Sequence, residues 1–308
     1  MAITLMREML VKNAYQVKKE MHLHQDVYNE TLDLTIAIPV KNEEANLTKC
    51  LAAIGKNLAR HIVVIDSGST DRTKEIAASF GVEIIDFKWD GKFPKKRNWY
   101  LRNHNIKTQW ILFLDADEYL TPEFKSELYT ALIKGDKTGY WLSYTVYFLG
   151  KQLKGGYPLR KLALFRANSG EYEHIDEEHW SHLDMEVHEH PIIKGEIGTI
   201  KGKIDHQDYR GISNFILKHD EYASWEAARF LKAMASPDVS LKWTFKQRLK
   251  YKLMNSVFLA PLFFIGSYIL YGGFRDGATG LTHEILRMSY YMQIYSRIKE
   301  NQNKLIHP

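Results

Sequence analysis

Leu34-Thr-Ile-Ala-Ile-Pro-Val40, running into Lys41-Asn-Glu-Glu44, is the stretch from which the fold can be read. A short apolar, β-branched run that ends abruptly in polar residues reads as a buried strand opening into a loop. A helical stretch from about Asn46 to Leu58 follows, and then the pattern repeats. His61 to Asp66 reads as a second strand, a Ser/Thr/Asp-rich turn comes next, and Asp71 to Phe80 reads as a helix. Val82 to Phe87 gives a third strand, Lys95 to Asn105 a helical piece, and Trp110-Ile-Leu-Phe-Leu-Asp115 a fourth strand that ends in acid. This βαβα order predicts an α/β fold with a largely parallel sheet and helices on both faces.

Beyond Pro122 a helix to about Lys134 is expected, then strands over Tyr140 to Phe148 and Lys161 to Ala167 that need not be parallel. Glu171 to His190 mixes acids, histidines and aromatics without a clear period and reads as a functional loop. A helix is expected from Ile212 to about Ala235. From Lys242 the character changes: Lys242, Lys246, Arg248, Lys250 and Lys252 precede an uncharged stretch from Leu253 to Phe274. Pro261, Gly266 and Asn255 interrupt that stretch, so an element lying in a membrane interface is favoured over a spanning or core helix. The organisation expected is an N-terminal extension over 1–31, a catalytic domain over 32–240 and a helical, membrane-associated region over 241–308.

Composition narrows the classes. With 308 residues, 45% hydrophobic and 26% charged, the chain suits one large domain with an appendage and does not suit disorder or a polytopic membrane protein. A net charge of +5 implies no general polyanion binding, and no nucleic acid partner is expected. The single cysteine, Cys50, reads as a small core residue. Arg7 and Glu8 break any apolar leader, so a location on the cytoplasmic side of an inner membrane is expected.

Ligands of open parallel sheets bind at the carboxyl ends of the strands. Four polar groups fall there: Pro39 to Glu44, Asp66 to Asp71, Lys95-Lys-Arg-Asn98 and Asp115-Ala-Asp-Glu118. Asp115 and Asp117, one residue apart at the end of an apolar strand, either cap the next helix or hold a hard divalent cation that bridges two phosphates. Asp66 is placed to accept hydrogen bonds from a base or ribose, whereas Asp71 more plausibly caps a helix. No Gly-x-x-x-x-Gly-Lys or Gly-x-Gly-x-x-Gly occurs, so a P-loop and dinucleotide redox chemistry are excluded. The clustered histidines lack a His-Glu-x-x-His, and a zinc site is discounted.

Ile36 to Glu44, Ile62 to Asp71, Lys96-Arg-Asn98 and Leu112 to Glu118, taken in order, resemble the motifs of family 2 glycosyltransferases with a GT-A fold. Tyr157 to Arg166, Val187-His-Glu-His190, Asp205-His206 and Gly272 to Gly277 are similar to the subgroup that builds lipopolysaccharide core and exopolysaccharide. The resemblance implies a GT-A, Rossmann-like mixed sheet and an inverting sugar transfer from a nucleoside diphosphate, UDP above all. It implies a glycolipid or oligosaccharide acceptor and a Mg²⁺ or Mn²⁺ cofactor, while the basic run from Lys242 to Lys252 ahead of the apolar stretch points to an anionic membrane surface as partner. Carried over, Pro39, Glu43, Asp66, Lys96, Arg97, Asp115 and Ala116 bind the donor, with Arg97 facing the diphosphate. Asp117 holds the metal, with Asp115 and His206 beside it. Glu189 is the expected general base, because inversion needs the acceptor hydroxyl deprotonated opposite the leaving group; Asp184 and Glu186 are the alternatives. A nucleotidyltransferase and a catalytically silent assembly scaffold are the rival readings.

Overall fold

A computed structural model describes residues 30–174, 183–184, 191–235 and 245–306. The four expected strands form as β1 (Leu32–Val40), β2 (Ala59–Asp66), β3 (Glu83–Asp86) and β4 (Trp110–Phe113). Between them lie α1 (Leu47–Ile54), α2 (Thr73–Ser79) and α3 (Lys96–Asn103). The helix expected to reach Leu58 stops early because Gly55 turns to φ +80°, a conformation open to glycine at little cost. β3, β2, β1 and β4 are parallel neighbours in that order, and Val40 pairs with Asp66, which pairs with Asp86. The strand ends are therefore level, and the loops that follow them share one rim.

After β4 the chain makes a three-residue strand β5 (Glu118–Leu120), helix α4 (Pro122–Lys134), β6 (Gly139–Phe148), the short β7 (Lys151–Gln152) and β8 (Arg160–Arg166). β8 runs antiparallel between β4 and β6 and so converts the parallel half into a mixed sheet. β9 (Gly170–Tyr172) and β10 (Pro191–Ile193) pair as a separate antiparallel ribbon at the two ends of the expected loop region. β11 (Ile197–His206) lies between β6, to which it is parallel, and β5, to which it is antiparallel. No strand was expected there, because Gly198, Gly202 and two lysines dilute its Ile/Thr pattern. Gly202 has a structural reason: a Cβ there would lie 2.8 Å from the Phe124 Cα, so only glycine lets α4 rest on this strand.

Strand periodicity sorts the core. Ile36 and Ile38 face one way, onto Leu47, Cys50 and Leu51 of α1 and Phe124 and Leu128 of α4, while Ala37 faces the other way with Phe113 and Tyr100 of α3. Helices thus cover both faces, as the sequence pattern predicts. Cys50 is fully buried, in keeping with a packing role.

The C-terminal third is helical: α5 (Gly211–Ala235), α6 (Phe245–Met254), α7 (Leu259–Ile265), a π-helical turn (Gly266–Leu270), a 3₁₀ turn (Gly273–Asp276) and α8 (Gly277–Ile306). Ala223, Ala227 and Phe230 of α5 share a core with Tyr251 and Met254 of α6 and with Tyr290, Ile294 and Ile298 of α8. Pro261 sits in the first turn of α7, where its missing N–H leaves no helical bond unmade. The uncharged stretch is therefore broken into short pieces, and no described helix is long and apolar enough to cross a membrane. The segment Leu153 to Tyr157 is seated on these pieces. Asp276 accepts hydrogen bonds from the Lys154 and Gly155 amides, and Ser267 Oγ accepts one from Tyr157 N at 2.8 Å. A Cβ on Gly155 would fall 2.0 Å from the Gly272 carbonyl oxygen, so the two backbones touch only because glycine is there.

Candidate active site at the carboxyl ends of β1, β2 and β4

The loops after β1 and β2 are laced together. Thr70 N donates to Asn42 Oδ1 at 2.8 Å, Glu44 N to Asp71 Oδ2 at 3.1 Å and Glu43 N to Thr73 Oγ1 at 2.7 Å. Asp71 also accepts from Thr73 N at the start of α2, which is the capping role expected of it. Asp66 is fully buried and accepts from the amides of Gly68 and Ser69 at 2.9 and 3.0 Å, and from the Ser69 hydroxyl. Burial alone would raise its pKa, but these hydrogen bonds and Lys74 outweigh that and hold it below the usual carboxylate range. Pro39 and Ala116 are buried.

Asp115 and Asp117 leave the end of β4 pointing into a ring of cations. Asp115 Oδ1 is 2.7 Å from Arg97 Nη2, and its Oδ2 is 2.6 Å from Lys161 Nζ. Desolvation is more than offset by Lys161 and Arg97, so Asp115 stays ionised far below its ordinary range. Lys161 also reaches the buried Glu118, whose pKa burial pushes up to about 7 against the pull of that lysine. Asp117 Oδ1 lies 3.6 Å from His206 Nε2, and its Oδ2 lies 3.3 Å from Lys218 Nζ and 3.9 Å from Arg210 Nη2. Burial opposes ionisation there too, but Lys218 and then His206 reverse it.

β11 is what brings His206 to this place. Its last residue pairs with Glu118, and Gln207 N donates to the Asp117 carbonyl at 2.9 Å. Arg210, just before α5, binds Glu43 through Nη1 at 2.8 Å and Asp208 through Nη2 at 2.7 Å. Burial pushes the Glu43 carboxyl up to about 7 although Arg210 works against it. The structure thus joins Glu43, Asp115, Asp117 and His206, with Arg97 at Asp115. Lys96 is buried a short way off, donating to the Val40 carbonyl at 3.1 Å and lying 3.4 Å from Asp184. Glu189 and Glu186 fall outside the described residues. Lys161, Arg210, Lys218 and Asp208 went unassigned in the sequence, where each looks like a surface charge; their only signal is proximity to strand ends or to the start of α5.

Among the described residues no three His, Cys, Asp or Glu side chains gather as a metal cluster. Asp117 and His206 do offer one hard oxygen and one imidazole nitrogen to the same space. That donor pair fits a cation that takes its other ligands from substrate phosphate and water, as Mg²⁺ and Mn²⁺ do. Burial lowers the His206 pKa, although Asp117 beside it works the other way.

Residues 35–186 match the family described as Glycosyl transferase family 2. The chain carries a family 2 glycosyltransferase domain. It is similar to the lipopolysaccharide core biosynthesis glycosyltransferase LpsC of Rhizobium meliloti, at 27% identity over 262 residues, 81% of this chain and 85% of the relative. The uncharacterized glycosyltransferase RP128 of Rickettsia prowazekii is 23% identical over 82% of this chain and 84% of its own. Among solved structures, S. aureus TarS 1–349 aligns over 87% of this chain and 91% of its own with 14% identity and a TM-score of 0.40. The glycosyltransferase domain holds the loops after β1, β2 and β4, whereas His206, Arg210 and Lys218 lie beyond the matched residues.

Proposed function

We propose that this glycosyltransferase moves a sugar from a nucleoside diphosphate, most readily UDP, to a glycolipid acceptor, inverting the anomeric centre in one displacement. The observation that carries this reading is the acidic pair Asp115 and Asp117 set among Arg97, Lys161, Arg210 and Lys218. Such a site suits a diphosphate that arrives with a divalent cation, because each charge already has an opposite partner at hand. Asp117 and His206 would hold Mg²⁺ or Mn²⁺, and the ion when bound neutralises charge on the leaving diphosphate. Glu43 and Asp66 face the nucleoside end, and Arg97 orients Asp115. Glu189, or else Asp184 or Glu186, takes the proton from the acceptor hydroxyl. LpsC, named for lipopolysaccharide core biosynthesis, supports a surface-glycolipid acceptor. The test is a screen of nucleotide sugars for hydrolysis and thermal stabilisation with Mn²⁺ present. A UDP-sugar should raise the melting temperature more with the metal than without it, and no response from any nucleotide sugar would overturn the reading.

The same proposal places the enzyme on the cytoplasmic face of a membrane. Leu270 is 80% and Phe258 66% exposed, and Leu262, Ile265, Ile269 and Phe274 are exposed beside them on the broken C-terminal helices. An apolar patch too short to span, flanked by exposed Lys252 and Arg275 and carrying Tyr268 and Tyr271, suits the boundary of an anionic bilayer. Each large side chain that inserts contributes about 1.5–3 kcal/mol, and each basic residue near the surface about 1 kcal/mol. Phe258→Asp with Leu270→Asp should then stop the protein floating with phosphatidylglycerol vesicles, while high salt releases only part of the wild type. If the wild-type protein stays with the soluble fraction, the patch belongs to contact between copies of this chain.

A further inference from the structure

The cations of the site are not equivalent. Arg97 and Lys161 each take one oxygen of Asp115, so that carboxylate has its own partners. Arg210 is held by Asp208, to which it donates through Nε at 2.9 Å and Nη2 at 2.7 Å, and by Glu43 at 2.8 Å. Its guanidinium is already committed in a fixed fork. Lys218 differs. It stands on α5 four residues after Asn214, whose Nδ2 donates to Asp208 Oδ2 at 2.9 Å, so both side chains lie on one helix face. Its ammonium lies between two carboxylates, 3.3 Å from Asp117 and 3.6 Å from Asp208, at the end of a flexible four-carbon stem.

Asp117 is also the carboxylate that would take the divalent ion. An ammonium and a divalent cation repel each other strongly when they share one carboxylate in a buried site. We propose that Lys218 is a resident counter-cation: it neutralises Asp117 while the donor site is empty and moves onto the diphosphate when metal takes that carboxylate. The inference rests on the nucleotide-sugar reading and deepens it. It explains how a buried acid pair is kept ionised without a ligand, and why the metal and the diphosphate should enter together. The metal frees Lys218 from Asp117, and the diphosphate gives Lys218 another anion. By linkage each ligand then tightens the binding of the other by the same factor, typically about 5- to 150-fold.

The experiment is calorimetry on the full-length chain with Mn²⁺ alone, UDP alone in the presence of chelator, and UDP at saturating Mn²⁺. In the wild type Mn²⁺ alone should bind weakly, and each ligand should tighten the other. Lys218→Gln should move the two single-ligand affinities in opposite directions: Mn²⁺ alone tighter and UDP alone weaker, each by about tenfold, with the coupling between them reduced. Lys218→Arg, which keeps the charge, should keep the wild-type order of affinities and guards against a folding defect in Lys218→Gln. A parallel fall in both affinities, with a lowered melting temperature, would mark Lys218 as merely structural, and unchanged affinities would remove it from the site. Absence of UDP binding by the wild type, with or without Mn²⁺, would instead overturn the nucleotide-sugar reading itself.

Discussion

Asp117→Ala is expected to abolish metal-dependent UDP binding and to lower sugar transfer by roughly 10³-fold or more, with the fold intact. The loss follows from geometry: Asp117 is the carboxylate beside His206, and no other described carboxylate lies against that imidazole in an ion pair. The fold should survive for two reasons. The backbone tie from Gln207 N to the Asp117 carbonyl remains, and Lys218 keeps Asp208 as a partner at 3.6 Å, so no buried cation is stranded. Titration calorimetry with UDP and Mn²⁺, beside a thermal melt, reads both parts. Binding as tight as in the wild type, with the same metal requirement, would remove Asp117 from the metal site.

The second large effect is expected at Glu189. Glu189→Gln keeps size and hydrogen-bonding capacity but cannot take a proton, so donor binding should persist while turnover falls by about 10² to 10⁴. Glu189 itself lies outside the described residues, but its neighbour two positions on is tethered. Pro191 pairs with Tyr172, whose ring lies 5.3 Å from the Arg97 guanidinium and whose backbone is clamped by Asn98. Asp184 is a poorer base because its carboxylate already faces Lys96 at 3.4 Å. Wild-type turnover in Glu189→Gln would move the role to Asp184 or Glu186, and the corresponding amide substitutions would tell them apart.

How far the sequence reaches is shown by what it missed. β1, β4 and the second half of β2 are buried between helix layers, so their residues are apolar almost without interruption and their ends are marked by sudden polarity, while β3 is a half-exposed edge strand. That made the parallel half and the rim bearing Asp66, Arg97, Asp115 and Asp117 readable. β11 is half exposed, with lysines on its open face and glycines where α4 and Tyr140 press close, so it carries no comparable signal. The histidine at its end was found through a motif, but its position against Glu118 and Asp117 depends on a three-residue strand. Lys161 and Lys218 were missed for a related reason. A lysine before an apolar strand or on an amphipathic helix is ordinarily a solvated charge, and only the tertiary approach of two carboxylates makes either one part of a site.

The seating of Leu153 to Tyr157 on the C-terminal turns bears on how this enzyme can be cut down for laboratory use. The sequence invites trimming at about residue 240, since everything chemical precedes that point and the apolar helices that follow would hinder purification. Yet Asp276 and Ser267 hold the segment that leads, three residues past Tyr157, into β8. β8 carries Lys161 to Asp115. A shortened chain would keep every acid of the site and lose the footing of the strand that aligns one of its cations, and α5 would lose the layer that buries Ala223, Ala227 and Phe230. For solubility the better course is to leave the helices in place and repaint their outward residues, Leu270 and Phe258 first, with polar side chains.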